Sequence, residues 1–291
     1  VIDLADAYEK VRWARHHGEA LRSEIDTLQK RDDHRIAVEI NADTGEYIFR
    51  VFDLPTPDPD WGLRIGDCLH NARAALDYLM VRLYAISTGE DPKDIETIQF
   101  PVCDSPGAFA GSRTVQHFRA CPATRGYLTR VKELQPFKAT DAAIWPLSDP
   151  LSRSTRHAPV TEALADLARW DNIDKHRVIH AALLRPAVQL ERVPHPAGFR
   201  LVSESGDWEP LKNGTEIGRW RFETPLPFAW EPSEVDVKRH FPIAVSLDEA
   251  WAPQPVLEVL PFCLWGVEQV LALFEPVFTE GKPPLPVAAI S

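Results

Sequence analysis

Apolar residues recur at helical spacing in the first stretch of the chain. Ala7, Val11, Ala14, Leu21, Ile25 and Leu28 share one face of a 3.6-residue repeat, with charged residues on the others, so residues 3–30 are predicted to form a long amphipathic helix. The period then falls to two: Ile36, Val38 and Ile40, followed by Tyr47, Phe49 and Val51, around the turn signal Asp43-Thr44-Gly45, predict a β-hairpin over residues 35–52. Helical spacing returns over residues 61–88, where Ile65, Leu69, Ala72, Leu76, Leu79 and Leu83 form the stripe. Residues 116–134 read as a helix broken at Pro122, residues 141–159 as loop, and residues 160–185 as a third long helix.

From residue 187 to residue 251 the pattern is strand-like again. Phe199, Leu201 and Val202, then Trp220 and Phe222, then Val235 and Val237, then residues 241–247 are separated by Pro and Gly turns. Residues 256–278 are the most apolar part of the chain, but Glu258, Pro261, Glu268 and Glu275 make them read as a buried core helix and not a membrane span. With no repeat and no linker, residues 1–291 are expected to be a single α+β domain, mainly helical. Its parts are a helical core over 3–185 carrying the hairpin, an antiparallel β-rich insertion over 187–251 and a final core helix over 256–278.

Composition narrows the function classes. Against 32 basic residues stand 43 acidic ones, a net charge of −11, which disfavours nucleic acid and anionic membranes as broad partners and still allows a local basic cleft. Cys68, Cys103, Cys121 and Cys263 are scattered with no CxxC pair, and read as buried free thiols of a cytoplasmic protein. No Gly-rich phosphate loop, GxSxG elbow or dinucleotide fingerprint is present, and no cofactor is expected.

Two helical segments carry unusual polarity. In Gly66-Asp67-Cys68-Leu69-His70-Asn71-Ala72-Arg73-Ala74-Ala75-Leu76-Asp77-Tyr78, Leu69, Ala72 and Leu76 face the core. His70, Arg73 and Asp77 gather on one flank of that stripe, and Asp67, Asn71 and Tyr78 lie roughly opposite. A merely solvated face favours Lys and Glu, whereas these directional groups suit a hydrogen-bonded network or a site; the plain alternative is an Arg73–Asp77 ion pair beside a structural His70.

In the second segment, Trp170-Asp171-Asn172-Ile173-Asp174-Lys175-His176-Arg177-Val178-Ile179-His180, the stripe of Val160, Leu164 and Leu167 continues through Asp171 and Asp174. Carboxylates at core positions need a cationic partner, for which Arg73, Lys175, Arg177 or a metal ion qualify. A break in the helix, with Asp171 or Asn172 as a new cap, is the simpler reading. His176 and His180 are four apart on one helix face, a weak metal-ligand spacing, and HExxH is absent because Arg177 follows His176.

These segments resemble a widespread group of uncharacterised bacterial and phage-associated proteins. That group's pattern runs from an R-A-x-x-H-like stretch through G-D-x-x-H-N-L-R-S-A-L-D-H, a short F-P-I and an L-Q-P-Y-like run to N-x-x-D-K-H-R. Here the same order reads Arg15-His16-His17, residues 66–78, Phe100-Pro101-Val102, Leu134-Gln135-Pro136-Phe137 and residues 172–177. More loosely, the chain is similar to the HEPN superfamily of helical bundles, which includes dimeric, metal-independent RNases with an R-x4-6-H motif. That resemblance implies a HEPN-like bundle and allows a homodimer. In such a site Arg73 would hold a phosphate while His70 or His176 moved protons. The residues themselves suggest an inter-helix polar pocket in which Asp67, His70, Asn71, Arg73 and Asp77 face Asp171, Asn172, Asp174, Lys175 and His176, with Tyr78 and Arg177 as further binding candidates. The chain departs where R-x4-H counted from Arg73 meets Tyr78, and tyrosine is a poor general base near neutral pH.

Three readings remain open on the sequence: a binding or interaction module built on a buried polar cluster, a HEPN-like ribonuclease or nucleotide-binding protein, and a metal-binding protein using His70, Asp77, His176 and His180.

Overall fold

The expected first helix spans Ala5–Arg31 (α1), and its stripe is buried except at Leu28, which is half-buried. This computed structural model describes residues 2–31, 34–41, 43–92, 97–138, 160–176, 179, 181–184, 199–203, 211–222, 244–247 and 254–287. The expected loop over 141–159 and the strand at Val235 and Val237 lie outside them. The chain divides into two compact units. One comprises Val1–Leu21, Gly62–Ile179 and Leu257–Ser291; the other comprises Arg22–Trp61 and His180–Val256.

The first unit is helical and holds the polar segment 66–78 and the second one as far as Ile179. Its second long helix, α2, spans Asp60–Thr88, and every residue of the expected stripe is buried, joined by Cys68, Ala75 and Met80. α2 is therefore covered on more than one side, which a period-3.6 stripe alone does not reveal. Two short helices follow where only one was expected to begin: Pro106–Gly111 (α3) and Arg113–Ala120 (α4). Each starts at a serine whose hydroxyl accepts a first-turn N–H, Ser105 from Ala108 at 3.1 Å and Ser112 from Val115 at 3.2 Å. The predicted break at Pro122 separates α4 from α5 (Arg125–Glu133), and the buried Thr124 hydroxyl ties the corner by donating to the Phe118 carbonyl at 2.7 Å.

The next helix, α6, runs unbroken from Val160 to His176. Neither Asp171 nor Asn172 caps a new helix, so the capping reading is corrected. The helix also stops short of the expected residue 185. Ala181–Leu184 form a strand (β3) paired with Ala244–Leu247 (β6), so inter-strand hydrogen bonding overrides the helical propensity of Ala and Leu. The last helix, Val256–Thr279 (α7), is by length and composition the one described helix that could cross a membrane. It is packed as a core helix, with Val259, Cys263, Val267, Val270, Leu271, Leu273 and Phe274 buried. Gly266 lets it lie against α6: a Cβ there would sit 2.5 Å from the Ala163 Cβ.

The second unit joins the hairpin to the later strands. β1 (Arg35–Asn41) and β2 (Glu46–Phe52) pair as expected. β2 also pairs with β5 (Glu216–Phe222), which pairs with β4 (Phe199–Ser203), giving one antiparallel sheet ordered β1-β2-β5-β4. The buried Glu46 side chain on β2 accepts from Arg219 at 3.0 Å and Arg221 at 2.6 Å on β5. A second sheet is ordered β3-β6-β7, with β7 at Gln254–Pro255. The protein is thus mainly helical with antiparallel sheet, and the β region is not a separate insertion from the hairpin.

Candidate functional site

The two polar segments meet. α2 carries glycine at position 66, and the Asp174 carboxylate of α6 occupies the space a side chain there would fill: a Cβ on Gly66 would lie 2.3 Å from Asp174 Oδ1. One turn earlier on α6, Asp171 is buried on the core stripe beside Trp170. Its carboxylate accepts from Lys175 Nζ at 2.6 Å, one helical turn on, and lies 3.9 Å from His70 Nδ1 on α2. The cation that a buried carboxylate requires is therefore mainly Lys175, whose half-exposed ammonium keeps its hydration on one side. Asp67, Asp171 and Asp174 share a small region with His70 and Lys175. Burial and the charges of Asp171 and Asp67 push the Asp174 carboxyl above its ordinary range, against the pull of His70 and Lys175.

The other flank of α2 does different work. The Asp77 carboxylate accepts the Phe100 N–H at 2.8 Å, and Arg73 donates to the Phe100 carbonyl. Arg73 and Asp77 also face each other at 3.8 Å. Both polar backbone groups of Phe100, a fully buried residue, are thus held by two side chains one turn apart on a helix. Gln135, itself buried, repeats the device from the other end, donating to the Pro101 carbonyl at 2.8 Å and accepting the Cys103 N–H at 3.0 Å. Thr114 on α4 accepts the Gln99 N–H at 2.9 Å. Residues 98–103 are neither helix nor strand, so their backbone groups find no ladder, and side chains supply the partners. Burial pushes the Asp77 carboxyl up, with Asp171 adding to the rise, while Arg73, the Phe100 N–H and Lys175 oppose it.

The remaining candidates fall outside these two groups. Asn71 accepts from Lys10 of α1 at 3.2 Å and donates to the Asp67 carbonyl at 2.8 Å, a helix-to-helix tie. Tyr78 and Asn172 are exposed on their helices, and His176 is exposed at the end of α6. Arg177 and His180, and with them the His176/His180 pair, lie outside the described residues. Among the described residues no three His, Cys, Asp or Glu side chains are grouped to hold a metal ion.

Gln135 and Thr114 were absent from the sequence-derived site. Gln135 lies inside the Leu134-Gln135-Pro136-Phe137 run of the resembled pattern, which assigns it no role; its amide has two donors and an acceptor, which suits it to bridge backbone groups two residues apart. No protein-family model, no curated protein and no solved structure matches this chain.

Proposed function

We propose that the chain is a binding or interaction module in which the polar segments act as an internal clasp. The observation that supports this reading is the capture of both Phe100 backbone groups by Arg73 and Asp77. An arginine committed to a buried carbonyl and a neighbouring carboxylate is a structural group first, and removing it strands partners away from water. Arg73→Ala and Asp77→Ala are each expected to cost about 1–3 kcal/mol, read as a melting temperature lower by several degrees. The wild-type chain is expected to cleave none of a diverse set of RNAs. RNA cleavage by the wild type that disappears in Arg73→Ala, with melting unchanged, would overturn the reading.

A second reading has its own observation. His70 is exposed and stands 3.9 Å from the buried Asp171, an imidazole close to a carboxylate. On that arrangement the chain is a HEPN-like, metal-independent ribonuclease or nucleotide-binding protein, with Arg73 near the phosphate and His176 as a further proton carrier. The discriminating variant is His70→Ala, which this reading expects to be inactive on RNA with an unaltered melting temperature.

A further inference from the structure

We propose that a cavity of about 380 Å³ in the helical unit, bounded by α2, residues 97–103 and the first turn of α4, binds a small molecule through an oxyanion group, phosphate or carboxylate. The proposal deepens the binding-module reading and rests on it.

The first argument is charge. Two arginines, Arg73 and Arg113, line the cavity, and among the described residues no Asp or Glu does, in a chain whose net charge is −11. A recess lined by two guanidinium groups runs against the acidic character of the chain. It creates a local field that attracts anions. Asp77 is the nearest described carboxylate to Arg73, and at 3.8 Å it does not close a hydrogen bond with the guanidinium.

The second argument is unused donor capacity. Arg73 spends Nη2 on the Phe100 carbonyl, while its Nη1 is shielded from solvent and has no acceptor. A guanidinium nitrogen without an acceptor leaves the charge of Arg73 uncompensated on that side, in a residue that lines the cavity. The third argument is α4 itself. Its first-turn N–H groups at Arg113 and Thr114 have no intrahelical acceptor, and its first turn holds no acidic side chain. The Ser112 hydroxyl is occupied by the Val115 N–H, so the cap leaves those two donors for a ligand.

Size sets the class of ligand. The volume is at the low end of the range of about 300–1,000 Å³ typical of small-molecule pockets, and more than a bare oxyanion fills. The remaining wall includes Pro101, Val102 and Gln99, which suits a compact, mostly uncharged body attached to the anionic head.

The test uses the full chain at constant ionic strength. Inorganic phosphate, ribose 5-phosphate, gluconate and ribose are titrated by calorimetry and by thermal shift. Phosphate and ribose 5-phosphate are expected to bind and to raise the melting temperature, the sugar phosphate more strongly, while ribose does neither. Binding of gluconate at comparable strength would place the head group among carboxylates; weaker gluconate binding would assign it to phosphates.

Arg113→Ala is expected to weaken the sugar phosphate about tenfold or more and to leave ligand-free melting unchanged, because Arg113 is exposed. Lys132→Ala, an exposed cation on α5, is expected to bind as wild type. No response to any anion, or equal binding by Arg113→Ala and wild type, overturns the cavity proposal and leaves the clasp intact. Normal melting of Asp77→Ala overturns the clasp instead, whatever the ligands do.

Discussion

Asp174 sits where the sequence permits no side chain opposite it. Gly66 opens the space, and the carboxylate fills it beside two others, Asp67 and Asp171. Its proton is held more tightly in the folded chain than in the unfolded one, because burial and like charges disfavour the ionised form. The sign of the pH effect follows. Below the ordinary aspartate range both states are protonated, and the group is neutral to stability. As pH rises from that range through the raised folded value, the unfolded chain releases its proton first, and stability is lost until both states are ionised. Asp174→Asn is therefore expected to melt higher than wild type at pH 7, with the difference vanishing near pH 3. A variant that melts lower at pH 7 would mean the carboxylate makes a favourable contact that outweighs its crowding.

At the scale of elements, the segment 97–103 is held by three separate helical regions: α2 through Arg73 and Asp77, α4 through Thr114, and the end of α5 through Gln135. Each contact bonds to backbone, so the segment's own side chains are free to pack, as Phe100 and Pro101 do. Gln135→Leu removes two of these bonds while keeping similar bulk, and is expected to cost about 2–3 kcal/mol. Amide hydrogen exchange separates the clasps. The Cys103 N–H, which Gln135 accepts, should exchange faster in the variant, whereas the Phe100 N–H should stay protected by Asp77. Equal acceleration at both sites would mean that the segment opens as one unit and that the clasps are not independent.

Across the whole molecule, the four cysteines are free, but they do not share one environment. Cys68 and Cys263 are buried, while Cys103 and Cys121 are partly exposed, a correction to the expectation of four buried thiols. The Cys68 thiol donates to the Ala14 carbonyl of α1 at 3.2 Å, and burial pushes it up to about 12. Because the thiolate is the reactive form, a disulfide reagent at pH 8 is expected to modify Cys121 and, more slowly, Cys103, whose thiol burial and Asp104 also raise. Cys68 and Cys263 should react only after denaturation. Rapid labelling of Cys68 in the native chain would contradict the α1–α2 packing described above.

Periodicity alone determined the long helices and the hairpin, because the stripes of α1 and α2 and the alternation of β1 and β2 are local consequences of which face must leave water. It also determined that Asp171 is interior, since that position continues an apolar stripe. Partners were a different matter. The Lys175 that meets Asp171 lies one turn on in the same helix, but what fills the notch at Gly66 and why Arg73, Asp77 and Gln135 belong to one device depend on contacts between residues tens of positions apart. The pairing of β2 with β5, some 170 residues on, and the end of α6 at His176 have the same origin. A side chain's chemistry is written in the sequence. Whether its donors and acceptors are spent on backbone, on a neighbouring charge or on a cavity is decided only when packing removes water and forces each group to find a partner.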